Sequence, residues 1–127
     1  MLNLDRPKHL PPTLRSRKRY IAFQVITEDK VLLNDVFNSI WHSLLNFLGE
    51  YGVANAGIWI SKANYDEAKK LGIIKCNHTS VEHVRTSLAL IQRIGDSRAI
   101  VKVLGVSGTI KAAKKKFFGE VDLYSFT

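Results

Sequence analysis

The stretch Arg98–Phe118, RAIVKVLGVSGTIKAAKKKFF, sets the reading of the rest of the chain. Its first half carries Ile100, Val101, Val103, Leu104 and Val106, apolar and mostly β-branched, the composition of a strand packed on a core. Gly105-Val106-Ser107-Gly108 then breaks the period. From Ile110 a helical spacing takes over, with Ile110, Ala113 and Phe117 on one stripe and Lys111, Lys114 and Lys115 on another. A buried strand therefore feeds a turn, and the turn feeds a short helix with a core face and a cationic face. No acid occurs between Asp96 and Glu120, so the lysine face is read as meeting a polyanion.

The segments before it supply the other elements. Tyr20–Ile26 reads as a first strand, rich in β-branched and aromatic residues. Leu33, Val36, Phe37, Ile40, Leu44 and Leu48, with Trp41 broadening the stripe, predict a long core helix over about 31–48 that ends at Gly49 and Gly52. Val53–Ser61 is expected to be a second strand, and Lys62–Leu71 a polar hairpin connection with a short turn. Gly72–His78 is expected to be the third strand. Thr79 with Glu82 forms a capping-box pattern for a second helix whose stripe is Val81, Val84, Leu88 and Ile91. Gly95-Asp96 turns into the last strand. The order implies an α+β, ferredoxin-like or RRM-like βαββαβ fold: an antiparallel sheet, two helices on one face and an added C-terminal helix.

The 127 residues suit one domain with a real core, here divided as a basic extended arm over 1–19 and a single domain over 20–127. Pro7, Pro11 and Pro12 exclude a long helix in the arm, and the tail after Gly119 is expected to pack on the body. The longest apolar run is far short of a bilayer span, and no secretory signal is visible. The single cysteine, Cys76, excludes an internal disulfide framework and suits a reducing cytoplasm.

The net charge of +8 is segregated. Arg6, Lys8, Arg15, Arg17, Lys18 and Arg19 form one acid-free block; Arg98, Lys102, Lys111, Lys114, Lys115 and Lys116 form another. The seven remaining cations against eleven acids leave the rest of the chain at −4. Such segregation is the footprint of a nucleic-acid-binding protein.

Chemistry of its own is harder to find. Cys76 and His78 would share a strand face, but no CxxC or HxxxH accompanies them, and the acids are scattered. Gly105–Thr109 ahead of a helix could hold a phosphate on backbone N–H groups, though it lacks the spacing of a nucleotide-binding loop. The third strand lacks the aromatics with which an RRM stacks bases, so contacts to phosphates and shape are expected to dominate.

Leu10-Pro11-Pro12-Thr13-Leu14-Arg15 leading into Lys18-Arg19-Tyr20-Ile21-Ala22-Phe23 resembles the N-terminal signature of the archaeal ribonuclease P protein component 2 family, small Pop-five-like subunits. Gly72–Cys76 and Leu104–Lys111 resemble its other two signatures, in order, while 62–71 matches least well. The resemblance implies a ferredoxin-like protein that supports a catalytic RNA in removing 5′ leaders from precursor tRNA. It implies enzymatic activity only as a subunit, with Mg²⁺ used by the RNA and no cofactor on the protein. The implied partners are ribonuclease P RNA, precursor tRNA indirectly, and a TIM-barrel-like component 3, with room for a homodimer inside a heterotetramer. On this reading Arg15, Arg17, Lys18, Arg19, Ser107, Gly108, Thr109, Lys111, Lys114 and Lys115 grip RNA. Two other readings stay open: a stand-alone ferredoxin-like acyl-phosphate hydrolase using the Gly105–Thr109 turn, and a basic ribosome-associated protein.

Overall fold

Both faces of the strand Lys18–Ile26, β1, are covered, and this sets the layering of the molecule. Ile21, Ala22 and Phe23 are all fully buried. Successive strand residues point to opposite faces, so burial of three in a row requires material on both sides. The computed structural model describes residues 17–119. After β1 come helix α1 (Leu33–Ala56), the two-residue strand β2 (Trp59–Ile60), strand β3 (Leu71–Asn77) and helix α2 (Val81–Ala89). A small hairpin of β4 (Arg93–Ile94) and β5 (Ser97–Arg98), strand β6 (Ile100–Ser107) and helix α3 (Ile110–Ala113) complete the order. The main sheet runs β2–β3–β1–β6, every neighbour antiparallel. This is the ferredoxin-like arrangement with an added C-terminal helix.

α1 and α2 cover one face. Val36, Ile40 and Leu44 from α1 and Val84 and Leu88 from α2 close over Ile21, Phe23, Val25, Ile74, Cys76 and Val101. Small residues bring the two helices close: Ser43 Oγ donates to the Ser87 carbonyl at 2.5 Å, and Ser87 Oγ to the His83 carbonyl at 2.9 Å. α3 and the wide turn after it cover the other face, where Ala113 and Phe118 meet Ala22, Leu71 and Ile73. β6 serves both layers through a bulge. Ala22 pairs with Gly105 but Phe23 pairs with Val103, so Leu104 is an extra residue. That slip lets Val103 and Val106 both reach the helix-side core while Leu104 packs under α3.

Several expectations are corrected. The second strand is not Val53–Ser61: helical turns resume after a break at Gly49 and run to Ala56, leaving only Trp59–Ile60 as strand. Gly49 sits at φ 75°, ψ 170°, a backbone open to glycine, so the first helical run ends there as the spacing predicts and a second run follows it. The turns beyond it persist because Ala56 is buried and Val53 packs on the core. The capping box at Thr79 does not form. The chain enters α2 through a tight turn, His78–Ser80, and no side chain caps the helix. Asn77 holds the extended position ahead of that turn, and its amide instead donates to the Asn55 carbonyl at 2.9 Å. Gly95-Asp96 is the turn of the β4–β5 hairpin rather than a direct lead into the last strand. Ile91 is buried but lies past α2. β1 begins at Lys18, so Lys18 and Arg19 belong to the sheet; the arm before Arg17 and the tail after Gly119 lie outside the described residues.

Candidate nucleic-acid interface

The sheet register brings the described end of the first basic block, Arg17–Arg19, beside the C-terminal lysines of the second, while Lys102 pairs with Gln24 and Arg98 lies near Thr27 toward the opposite end of β1. β1 starts where β6 ends: Tyr20 pairs with Ser107, so Lys18 and Arg19 stand beside the turn Ser107–Thr109 that opens α3. Residues far apart in sequence thus share one end of the sheet. β3 ends there too, since Lys18 pairs with Asn77. Lys18 Nζ donates to Asn77 Oδ1 at 2.5 Å, and the His78 N–H donates to the Arg17 carbonyl at 2.8 Å, which ties the strand start in place.

Each expected contact residue has a distinct setting. Arg15 lies outside the described residues. Arg17 and Lys18 are exposed and Arg19 is half-buried, its guanidinium donating to the Lys18 carbonyl at 2.8 Å. Ser107 is buried, while Gly108 and Thr109 are exposed. Thr109 Oγ1 accepts from the Ala112 N–H at 3.0 Å, so the hydroxyl is the helix cap. Lys111 and Lys115 are exposed; Lys114 is half-buried.

The lysine geometry departs from an even helix. α3 is regular only through Ala113, and Lys114–Phe118 is a wide π turn. Widening to i→i+5 bonds moves the buried position from Phe117 to Phe118, five residues after Ala113. The same rotation draws Lys114 inward and leaves Lys116 out, with its Nζ 5.9 Å from the Phe117 ring centroid. The Phe117 ring lies against Gly105, and a Cβ at that position would collide with Phe117 Cζ. Glycine there is what lets α3 dock on the strand. Lys69 Nζ donates to the Phe118 carbonyl at 3.2 Å and closes the far end of the turn. Among the described residues none of these cations lies within ion-pair distance of a carboxylate; the pair present is Arg85–Glu82 on α2, at 4.0 Å.

Cys76 does not share a face with His78. It points into the helix-side core, fully buried, whereas His78 is exposed beyond the strand end. Burial pushes the Cys76 thiol up to about 11, against a smaller opposing pull from Lys18. Burial, helped by Glu67 and Asp66, likewise pushes the Tyr65 hydroxyl up to about 12. Both groups are held neutral by the fold, so stability is full below their ordinary pKa values and falls as pH climbs from about 9 through 11. Native Cys76 should therefore resist iodoacetamide at pH 8 and react only in denaturant; fast labelling of the folded chain would contradict the placement. Cys76→Ser should leave RNA-dependent activity nearly intact while lowering stability by about 1–3 kcal/mol, because a hydroxyl would be buried there. Among the described residues no three His, Cys, Asp or Glu side chains are grouped to hold a metal ion.

Two surface features escape the sequence reading. Trp59 and Lys75 pair across β2 and β3, with Lys75 Nζ 5.4 Å from the Trp59 ring centroid. The alternation of β3 could have found Lys75; Trp59 was hidden because a long strand over 53–61 makes it core. On the helical layer, a groove of roughly 630 Å³ runs between α1 and the α2–β4 connection, lined in part by His42, Asn46, Phe47, Leu90 and Arg93. Phe47 and Leu90 are 44% and 56% exposed. The groove runs along α1 from Asp35 to Phe47, and Phe47 also borders a smaller pocket with Ser80 and His83. No helix is long and apolar enough to cross a membrane among the described residues.

Comparison with known proteins gives the family and the fold. The sequence profile of the Rpp14/Pop5 family matches residues 19–118. The chain is 48% identical over 116 residues to ribonuclease P protein component 2 of Pyrococcus furiosus, covering 91% of this chain and 95% of that one. It is 38% identical over 118 residues to the protein of the same name from Methanosarcina mazei, covering 93% and 98%. In three dimensions it superposes on a chain in the cryo-EM structure of yeast ribonuclease MRP with a TM-score of 0.58 at 16% identity, covering 85% of this chain and 93% of that one, a likeness of fold.

Proposed function

The chain belongs to the Rpp14/Pop5 family, and on that premise we propose that it is the component 2 protein subunit of a ribonuclease P, binding the catalytic RNA that removes 5′ leaders from precursor tRNA. The observation that carries the RNA-binding part is the pairing of Tyr20 with Ser107, which sets Arg17, Lys18 and Arg19 beside the turn and lysines of α3 at one end of the sheet. Arg17, Lys18, Arg19, Lys111 and Lys115 grip phosphates there, with Lys114 a weaker contributor because it is half-buried; Arg15, outside the described residues, is proposed as a further phosphate contact. Gly108 and Thr109 present backbone at the start of α3, whereas Ser107 serves the strand end. The RNA carries the reaction and uses Mg²⁺; the protein positions and shields. We place component 3 on the helical layer, where Phe47 and Leu90 flank the groove, and the complex in the cytoplasm.

Reconstitution tests this. Precursor-tRNA cleavage in Mg²⁺ should require the RNA and rise when this chain and component 3 are added together. Cleavage by the chain alone, constant after nuclease treatment, would overturn the reading. Leu90→Asp should abolish co-purification with component 3, a loss of about 2 kcal/mol or more at a central anchor, while leaving RNA binding unchanged. Retained co-purification would move the partner to another surface.

The hydrolase alternative loses its cradle on this geometry: Gly105 carries the Phe117 ring and the Thr109 hydroxyl caps α3. The ribosomal alternative is separated by binding, since tight association with ribosomal RNA but not with ribonuclease P RNA would favour it.

A further inference from the structure

The face of the sheet turned away from α1 and α2 is only partly covered. α3 and the π turn sit over Ala22, Leu71 and Ile73. The adjacent row runs straight across the sheet: Trp59 pairs with Lys75, Lys75 with Tyr20, and Tyr20 with Ser107. Strand alternation fixes its side. Ile60, Ile74, Cys76 and Ile21 join the helix-side core, so Trp59, Lys75 and Tyr20 face the other way. Tyr20 is half-buried against the α3 cluster. Trp59, at the edge, is 43% exposed. Lys75 Nζ stands 5.4 Å from the Trp59 ring centroid, and among the described residues it meets no carboxylate. The row ends at the turn already assigned to phosphate contacts.

A large aromatic ring left open on a two-residue edge strand contributes little to the core. A ring with one open face and a cation beside it is placed to receive a flat partner. The charge around it selects the cover. Lys75 lies beside the ring and Lys18 lies two residues before Tyr20 on the neighbouring strand, both cationic, so the occupant carries negative charge together with a flat apolar face. An unpaired nucleotide has both: the base stacks on the indole and the phosphate meets the ammonium.

We propose that Trp59 is a stacking platform for an unpaired nucleobase of RNA, with Lys75 holding that nucleotide's phosphate. This rests on the RNA-binding reading above and adds to it a contact of a different kind, placed on β2 and β3 rather than on the basic turn. Phosphate contacts weaken with salt, whereas stacking does not, so the two are separable.

The chain has two tryptophans, and Trp41 belongs to α1, packed on the core. A Trp41→Phe variant therefore isolates the Trp59 signal. An unstructured single-stranded RNA oligonucleotide and a ribonuclease P RNA transcript should both quench Trp59 emission, while a fully paired duplex of the same sequence should not. In the full chain, Trp59→Ala should weaken binding of the transcript about 5- to 150-fold with the salt slope unchanged. Trp59→Phe should keep most of the affinity, and Lys75→Ala should lower the slope by about one unit. Circular dichroism reports folding; if Trp59→Ala does not fold, the quenching and the Trp59→Phe and Lys75→Ala results decide. No quenching by either single-stranded probe, or full affinity in folded Trp59→Ala, overturns the proposal. So does quenching by component 3 but not by RNA, which would make the patch a protein contact. A chain that restores cleavage with a silent Trp59 removes this inference and leaves the ribonuclease P reading standing. A chain that binds no ribonuclease P RNA overturns both.

Discussion

A chain carrying alanine at Arg17, Lys18, Arg19, Lys111 and Lys115 is expected to bind ribonuclease P RNA roughly 100- to 10,000-fold more weakly at about 0.1 M salt. The size of the effect follows from counterion release. Each neutralised phosphate contributes a slope of roughly 0.7 to 0.9 in the log–log salt dependence, so removing these five cations should flatten it by about 3.5 to 4.5 units. Subsets of the five report the geometry. Replacing Lys111, Lys114 and Lys115 together should remove about 2 units, not 3, because the π turn draws Lys114 inward. The fold should survive, since surface substitutions usually stay within about 0.5 kcal/mol each. The check is a titration across a salt series alongside circular dichroism. A folded five-site variant with the wild-type slope would move the RNA to another surface.

Ile74→Ala should be the most damaging single truncation for stability. Ile74 lies on β3 between β1 and β2, fully buried in the helix-side core and paired with Ile21 and Ile60. Removing its side chain takes away transfer energy and leaves a cavity beneath two helices, a cost of about 2–5 kcal/mol. For a domain of this size that lowers Tm by on the order of 10–20 °C. Ile100 is the control: equally apolar in sequence, 62% exposed in the fold, and expected to cost about 0.5 kcal/mol or less on truncation. Thermal unfolding of the two variants separates these cases, and similar destabilisation of both would show the assignment of the core to be wrong.

The contrast between Ile74 and Ile100 shows what could be read before the fold was known. Period and composition locate strands and helices well where an element is long and buried on one side, as in β1, β6 and the first half of α1. They misplace 53–61 because its valine and isoleucines suit either a strand or a helix end, and only the pocket awaiting Ala56 decides. The capping-box letters at Thr79 and Glu82 are present, but backbone geometry after Asn77 denies them the bond. The π turn is likewise invisible: five consecutive residues, KKKFF, satisfy an ordinary helix equally well, and the demand that Phe118 fill the space over Ala22 and Ile73 sets the winding. Of the candidate interface, the cationic residues were legible and their convergence was not. Charge runs mark residues, whereas register marks neighbours. Trp59 lay beyond reach altogether, because an exposed aromatic and a buried one are the same letter.

The meeting of β1's start with β6's end gives the molecule a heading. With Arg17, Lys18, Arg19, Lys111 and Lys115 collected around the turn Ser107–Thr109, that corner of the domain carries a local excess of positive charge. In the field of a folded RNA such a body feels a torque as well as a pull, and it turns before it touches. It would arrive with that corner first, so the register that joins β1 to β6 also sets the angle of approach.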